Sequence, residues 1–479
     1  MDFNDNYIRR RSYVSRREKQ RRRQKIVLIL LIILAVFVLL GAIGAGFYFH
    51  SKKDFHDISK DSGYVAQVAP TGSSIQLSTE AVMTTDTPLN RLLAEAQKLA
   101  DTYDYDGAIK LLKSDESYKE DSSVLDMIEE YEEIKSTLVR IDPKEVTHVF
   151  FHTLIMDNAK AFDGDHDSAG YNQVMTTKSE FLKILEQMYN RGYVLVKMHD
   201  LAYETTDENG NVKFVEGDIL LPPDKKAFVM SQDDVCYYEY MEDDGFATRM
   251  IVGEDGKPTC EMILDDGTVS IGAYDLVPLL EDFITEHPDF SYKGARAVIA
   301  FTGYQGILGY RTDPEYKDSN PYYEEDCQTA REVAQCLRDN GWELASHSWG
   351  HINFTDRDLS SVKTDSDKWE ARVESLIGET DIILYPFGAD IGDWKLYTTA
   401  NEKFNYLYKL GFRYFCNVDG NQHWVQIGDK FMRQGRRNLD GYRMYYDLPE
   451  TNPEKTYLDD LFDVTSVFDP DRPTPVPPM

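Results

Sequence analysis

Cysteine is scarce in this chain: five residues among 479, Cys236, Cys260, Cys327, Cys336 and Cys416. An odd number with no close C-x-x-C pair offers no disulfide framework and no zinc-ribbon spacing. Positive charge is also short beyond the first 25 residues. That opening segment holds ten Lys and Arg against three acids, and taking its surplus of seven from the total of −31 leaves −38 for the rest. So acidic a body repels DNA, RNA and other polyanions, which excludes nucleic acid as its main partner and leaves neutral polymers open. Long apolar runs are confined to a single stretch, Ile26 to Phe49, 24 residues without a charge.

As a helix that stretch would extend about 36 Å, enough to cross a bilayer. The rival reading is a secretory signal, whose apolar region is usually shorter, about 7–15 residues. An uncleaved anchor is the expectation. The basic flank, residues 1–25, then stays in the cytoplasm and everything after Lys52 faces outward, giving a single-pass protein of the cell membrane. Residues 50–88, rich in Ser, Thr and Gly, read as a linker.

Residues 89–140 change character. "LNRLLAEAQKLADTYDYDGAIKLL" places Leu92, Leu93, Ala96, Leu99 and Ala100 on helical spacing, resumed by Ala108, Ile109, Leu111 and Leu112 after the "YDYDG" break. The segment resembles one tetratricopeptide unit, a helical hairpin. A plain helical neck fits as well. One unit cannot bury its own apolar face, so the next domain or a protein partner should cover it.

From Val146 to about 448 strands and helices alternate. "THVFFHTL", "GYVLVKMH", "KAFVMSQ", "ARAVIAFTG", "WELASHS", "DIILYPFG" and "FRYFCNV" read as strands, with helices such as "KSEFLKILEQMYNRG" and "DCQTAREVAQCLRDNG" between them. The rhythm predicts an α/β domain with a parallel sheet, closed or open. Residues 235–291 break it with Asp-Gly turn signals and read as a β-rich insertion. Residues 449–479, Pro-rich and acidic, read as a disordered tail.

Polar residues collect where these strands end. Asp233 and Asp234 follow "AFVMSQ", His347 and His351 follow "WELAS", Pro386, Phe387 and Gly388 follow "IILY", and Asp419, His423 and Trp424 follow "RYFCNV". In a parallel barrel these loops share one face. Two histidines four residues apart, with a carboxylate from another strand, suit zinc or a related divalent metal and leave positions open for water. Ser348 has no base evident beside it and reads as a loop residue.

"SQDD", "HSWGH" and "YPFG", in that order, resemble the first three motifs of the NodB-type polysaccharide deacetylases (carbohydrate esterase family four). "VDGNQHW" is similar to the fourth. The resemblance covers about Val146 to Tyr446. It implies a distorted barrel of about seven parallel strands and removal of acetyl groups from N-acetylhexosamine polymers such as peptidoglycan or an exopolysaccharide. It also implies Asp233 as general base, Asp234, His347 and His351 as ligands of a divalent ion, most suitably Zn2+, an oxyanion contact at the Phe387 backbone, and Trp424 lining the sugar site. Two positions depart from the pattern. Leu384 stands where the family has the Arg that orients the base, with Arg433, Arg436 or Arg437 as replacements. No histidine follows His423, so the fifth-motif general acid is missing and His423 is the stand-in. These departures keep open a domain that binds glycan without hydrolysing it, or an envelope scaffold.

Overall fold

A computed structural model describes residues 87–479 apart from 393–394, 421–422 and 455. The basic tail, the apolar span and nearly all of the linker lie outside the described residues. Among those described, no helix is long and apolar enough to cross a membrane.

The folded chain begins with helix α1, Pro88–Asp101, opened by Pro88 and capped by the Thr87 hydroxyl, which accepts the Asn90 N–H at 3.2 Å. Helix α2, Tyr105–Leu112, starts at Asp104 after a three-residue turn, and α3, Ser122–Thr137, starts at Asp121. Leu92, Ala96, Ala100, Ala108, Leu112, Val124 and Tyr131 close a small core, which α3, formed by the second periodic run of this segment, covers. Contacts with the main domain follow at the α1–α2 turn. The Tyr103 hydroxyl donates to the Asp289 carbonyl at 2.9 Å, and the Lys293 N–H donates to the Thr102 carbonyl at 2.7 Å.

Seven parallel strands close into a barrel in chain order: β1 Thr147–Phe151, β2 Lys226–Gln232, β3 Val298–Phe301, β4 Glu343–Ser346, β5 Ile382–Leu384, β6 Tyr414–Val418 and β7 Met432–Asn438. Pairing of β7 with β1, with Arg436 opposite His148, completes the ring. Helices α4 Lys178–Asn190, α5 Leu276–Glu286, α6 Tyr323–Asp339, α7 Leu359–Trp369 and α8 Glu402–Leu410 supply the crossovers. Residues 235–291 hold an antiparallel meander, Arg249–Val252, Pro258–Ile263 and Val269–Gly272, and then α5.

The two-residue period of the strands sorts side chains into two layers. Val149, Phe151, Phe228, Met230, Ile299, Phe301, Leu344, Ile383 and Phe415 point outward under the helices. Val229, Val298, Ala300, Ala345, Ile382, Leu384, Tyr414, Cys416 and Met432 fill the lower bore. All five cysteines are free and buried.

Two expectations are corrected. "GYVLVKMH" does form a strand, Tyr193–Leu195, but it pairs with Lys226–Phe228 and bridges Ser291 rather than joining the ring, because the second half of β2 is taken by β3. The seventh ring strand is instead "MRQGRRN". Its polarity hid it: every residue is buried, and the three arginines are paired, Arg433 with Asp390, Arg436 with Asp233 and Arg437 with Asp460. Residues 449–479, expected to be disordered, pack against the barrel. Leu458, Leu461, Phe462, Val467 and Val476 are fully buried, and Arg472 reaches Glu180 of α4 at 2.7 Å with both side chains inaccessible. Regularly placed apolar residues and one buried ion pair outweigh the proline content.

Candidate metal centre

Asp233 and Asp234 leave the end of β2, His347 leaves β4, and His351 closes the turn that follows. All four face the mouth at the carboxyl ends of the strands. The turns are backbone-strained: Asp234 (φ 60°), Ser348 (φ 61°), His351 (φ 51°) and Phe387 (φ 58°) are non-glycine residues in the left-handed region, each costing about 1 kcal/mol or more. The surroundings hold them there. Asp365 accepts the Trp349 and Gly350 N–H groups at 2.9 and 2.8 Å, and the Ser348 hydroxyl oxygen accepts the Ile352 N–H at 3.0 Å. Ser348 is thus a loop fastener.

One ligand atom each from Asp234, His347 and His351 lies within 4.8 Å of the others. Asp234 Oδ2 is 3.6 Å from His351 Nε2 and 4.0 Å from His347 Nε2. Two donors on one tetrahedral zinc sit about 3.3 Å apart, so a small closure would suffice. Each ligand is also oriented from behind. His347 Nδ1 donates to the Leu384 carbonyl at 2.7 Å, leaving Nε2 as the lone-pair nitrogen. The Tyr238 hydroxyl donates to Asp234 Oδ1 at 2.6 Å, leaving Oδ2. Burial lowers the His351 pKa to about 4 despite the Asp234 charge, so the imidazole is neutral and able to ligate at neutral pH. The residues fit a divalent cation.

Asp233 stands beside the triad, its Oδ2 3.9 Å from His347 Nε2. Burial opposes its charge, but the Arg436 guanidinium holds the carboxyl well below the usual carboxylate range. Arg436 grips it with both prongs, at 2.7 and 2.9 Å. The same Nη1 also donates to the Ser231 hydroxyl at 3.1 Å; this in turn meets His148 Nε2 at 2.9 Å, and His148 Nδ1 meets Gln434 at 3.1 Å. A buried polar layer therefore lies between the apolar lower bore and the mouth.

No protein-family model matches the chain, and no curated protein matches it. Among solved structures, the Streptococcus pyogenes deacetylase PplD in complex with acetate is similar at 10% identity with a TM-score of 0.34, over 70% of this chain and 100% of that one. A likeness at that level speaks neither for nor against an activity.

The remaining expected residues divide. Phe387 is at the mouth, its ring 4.4 Å from that of His351 and 67% exposed. Trp424 is not. It begins a strand, Trp424–Ile427, that returns antiparallel along β7, and its indole packs on Gly435 and near the outward Arg433 guanidinium. His423 goes with it: the charges acting on this imidazole are those of Arg437, Glu145 and Asp460, on the outer wall of the barrel. The cause is topological, since the chain after β6 folds outward and down before rising again as β7. Leu384 points into the lower bore, where an Arg would have no partner, and Arg436 supplies the guanidinium from β7.

His152 was missed as a site residue. It follows β1 as Asp233 follows β2, at the same carboxyl end of the barrel. His152 Nδ1 donates to the Val174 carbonyl at 2.9 Å, which leaves Nε2 as its working nitrogen. Its signal was present in "FFHT", a histidine at the end of an apolar strand.

Proposed function

We propose that this protein hydrolyses the acetamide of N-acetylated sugars in a cell-envelope or extracellular polysaccharide, using a divalent cation held by Asp234, His347 and His351. One observation carries the reading: a buried carboxylate clamped by Arg436 lies beside an Asp–His–His triad at the mouth of a closed barrel. A bound cation of the zinc type supplies Lewis-acid polarisation of a carbonyl and a lowered water pKa.

The chain's own groups do the rest. Asp233, kept ionised by Arg436, takes the proton of the attacking water. Negative charge developing on the carbonyl oxygen meets the Phe387 backbone N–H. The C–N bond then breaks, and the departing amine takes a proton from Nε2 of His152 in its imidazolium form, leaving the neutral imidazole with Nδ1–H on the Val174 carbonyl. Acetate and a free amino sugar result. This gives His152 the acid's part that His423 is too far out to play. The uncharged run Ile26–Phe49 would hold this domain on the outer side of the membrane.

Full-length protein loaded with zinc and incubated with a chitooligosaccharide should release acetate. Asp233→Asn and His347→Ala should release none, and only the second should lose zinc. His152→Ala should keep its zinc while turnover falls by about 10²–10⁴. Zinc retained without acetate from any of several N-acetylated polymers would replace this reading with a glycan-binding module. Failure to take up either zinc or sugar would leave a scaffold.

A further inference from the structure

The antiparallel meander between β2 and α5 ends in a strand, Val269–Gly272, whose outer edge is free. Among the described residues it pairs only with Pro258–Ile263, Val269 opposite Ile263 and Ile271 opposite Glu261. The Leu264 N–H donates to the Thr268 carbonyl at 2.9 Å, which fixes the parity of the ladder. Ser270 and Gly272 turn their N–H and C=O groups inward to the neighbouring strand, and Val269 and Ile271 turn theirs outward.

One face of the meander is buried, with Met250 and Cys260 inaccessible in the core under α5. The other face holds Ile263, Val269 and Ile271, which are 41, 54 and 62% exposed. Acids beside this strip have partners: Glu261 pairs with Arg249 at 2.5 Å, and Asp265, in the turn before the strand, with Lys160 at 2.5 Å. A free edge in a monomer is normally guarded by charge, proline or a bulge. The hairpin of Ala202–Thr206 with Val212–Glu216 has such guards in Glu204, Lys213 and Glu216, whereas residues 268–272 contain neither charge nor proline.

We propose that this strand is the interface of a homodimer, pairing antiparallel with its own copy about a twofold axis at Ser270. That register sets Val269 opposite the partner's Ile271 and Ile271 opposite the partner's Val269. Both are hydrogen-bonded pairs, so the two N–H and two C=O groups that each strand turns outward are all used. Val269 and the partner's Ile271 meet side by side with Ile263 behind them, and two three-stranded sheets become one of six. A foreign strand would need apolar residues at the same two-residue spacing, whereas a copy has them by identity. The uncharged strip also spares two strongly acidic bodies a like-charge contact. The pairing is independent of the reaction at the metal centre.

Ser270→Cys in the full chain, held in detergent micelles, tests it. In this register residue 270 faces its own copy in a non-hydrogen-bonded pair, with Cα atoms about 4.5 Å apart, a span that a disulfide bridges. All five native cysteines are buried, so mild oxidation reads the new thiol. A contact this small places half-association at about 10–100 µM. Over that range cross-linked dimer should rise with concentration, and adding Ile271→Lys should cut its yield at least tenfold. No cross-link at the top of the range, or a yield that Ile271→Lys lowers by less than that, overturns the pairing and leaves the edge to a foreign strand. Should Ser270→Cys fail to fold, the mass by light scattering decides. A wild type that approaches twice the monomer while Ile271→Lys stays monomeric supports the pairing, and equal masses overturn it.

Discussion

Arg436 and Asp233 meet in a two-pronged ion pair inside the barrel, Nη1 to Oδ1 at 2.7 Å and Nη2 to Oδ2 at 2.9 Å, with the two side chains 0% and 3% exposed. They come from β7 and from the end of β2, 203 residues apart in the chain. Only ring closure through β1 makes them neighbours.

Arg436→Met should therefore damage both stability and turnover. Removing one partner leaves a carboxylate buried without compensation, a loss of about 3–5 kcal/mol. The urea midpoint should fall accordingly, and acetate release should fall with it. Arg436→Lys keeps a positive charge but not the fork, so both readouts should lie between the wild type and Arg436→Met. Equal midpoints for all three proteins would show that the pair does not hold the base.

His199 predicts a pH dependence. It sits under the barrel, with Nδ1 on Glu343, which opens β4, and Nε2 3.0 Å from Asp381, just before β5. Burial disfavours its charge, but the hydrogen bonds to Asp381 and Glu343 prevail and the pKa is pushed up to about 10. Unfolded histidine titrates near about 6.5. The pair's contribution is thus complete below about pH 6.5 and is lost as the pH rises toward about 10. With the side chain 42% exposed, solvent screening keeps the effect small. The Tm of the wild type should drop more steeply than that of His199→Gln between pH 7 and 10. Parallel curves would contradict the assignment.

The C-terminal segment should be part of the fold. Arg472 donates to both Glu180 oxygens, at 2.8 and 2.7 Å, and to the Asn172 and Met175 carbonyls, while Glu180 also accepts the Thr177 N–H in a capping box at the start of α4. Arg472→Ala strands a fully buried carboxylate and should cost about 3–5 kcal/mol in urea unfolding. Truncation after Glu450 should cost at least as much. A truncated protein as stable as the full chain would mean the segment is merely laid on the surface.

Residue chemistry and spacing were enough to read an α/β domain, the four polar residues that meet at its mouth, and a helical unit before it. These features are local: an apolar strand ending in a carboxylate pair or in His-x-x-x-His is visible in a window of about ten residues. β7 escaped because a buried strand made of arginines looks like a solvated loop until its partners, Asp233, Asp390 and Asp460, are known. Trp424 and His423 misled for the opposite reason, since they follow a true strand but turn onto the outer wall. His152 was legible as a strand-end histidine, but nothing near it in sequence marks it as a neighbour of the triad.

Strand period and turn residues thus determined, without any coordinates, which segments alternate and which side chains sit at strand ends, because such preferences act over a few residues. Closure of the ring, the choice of β7 as its last strand, the guanidinium that holds Asp233 and the burial of the C-terminal segment were decided only in three dimensions. Each depends on pairing charges or backbones far apart along the chain, and the stability of a buried charge is set by what lies beside it in space rather than by its sequence neighbours.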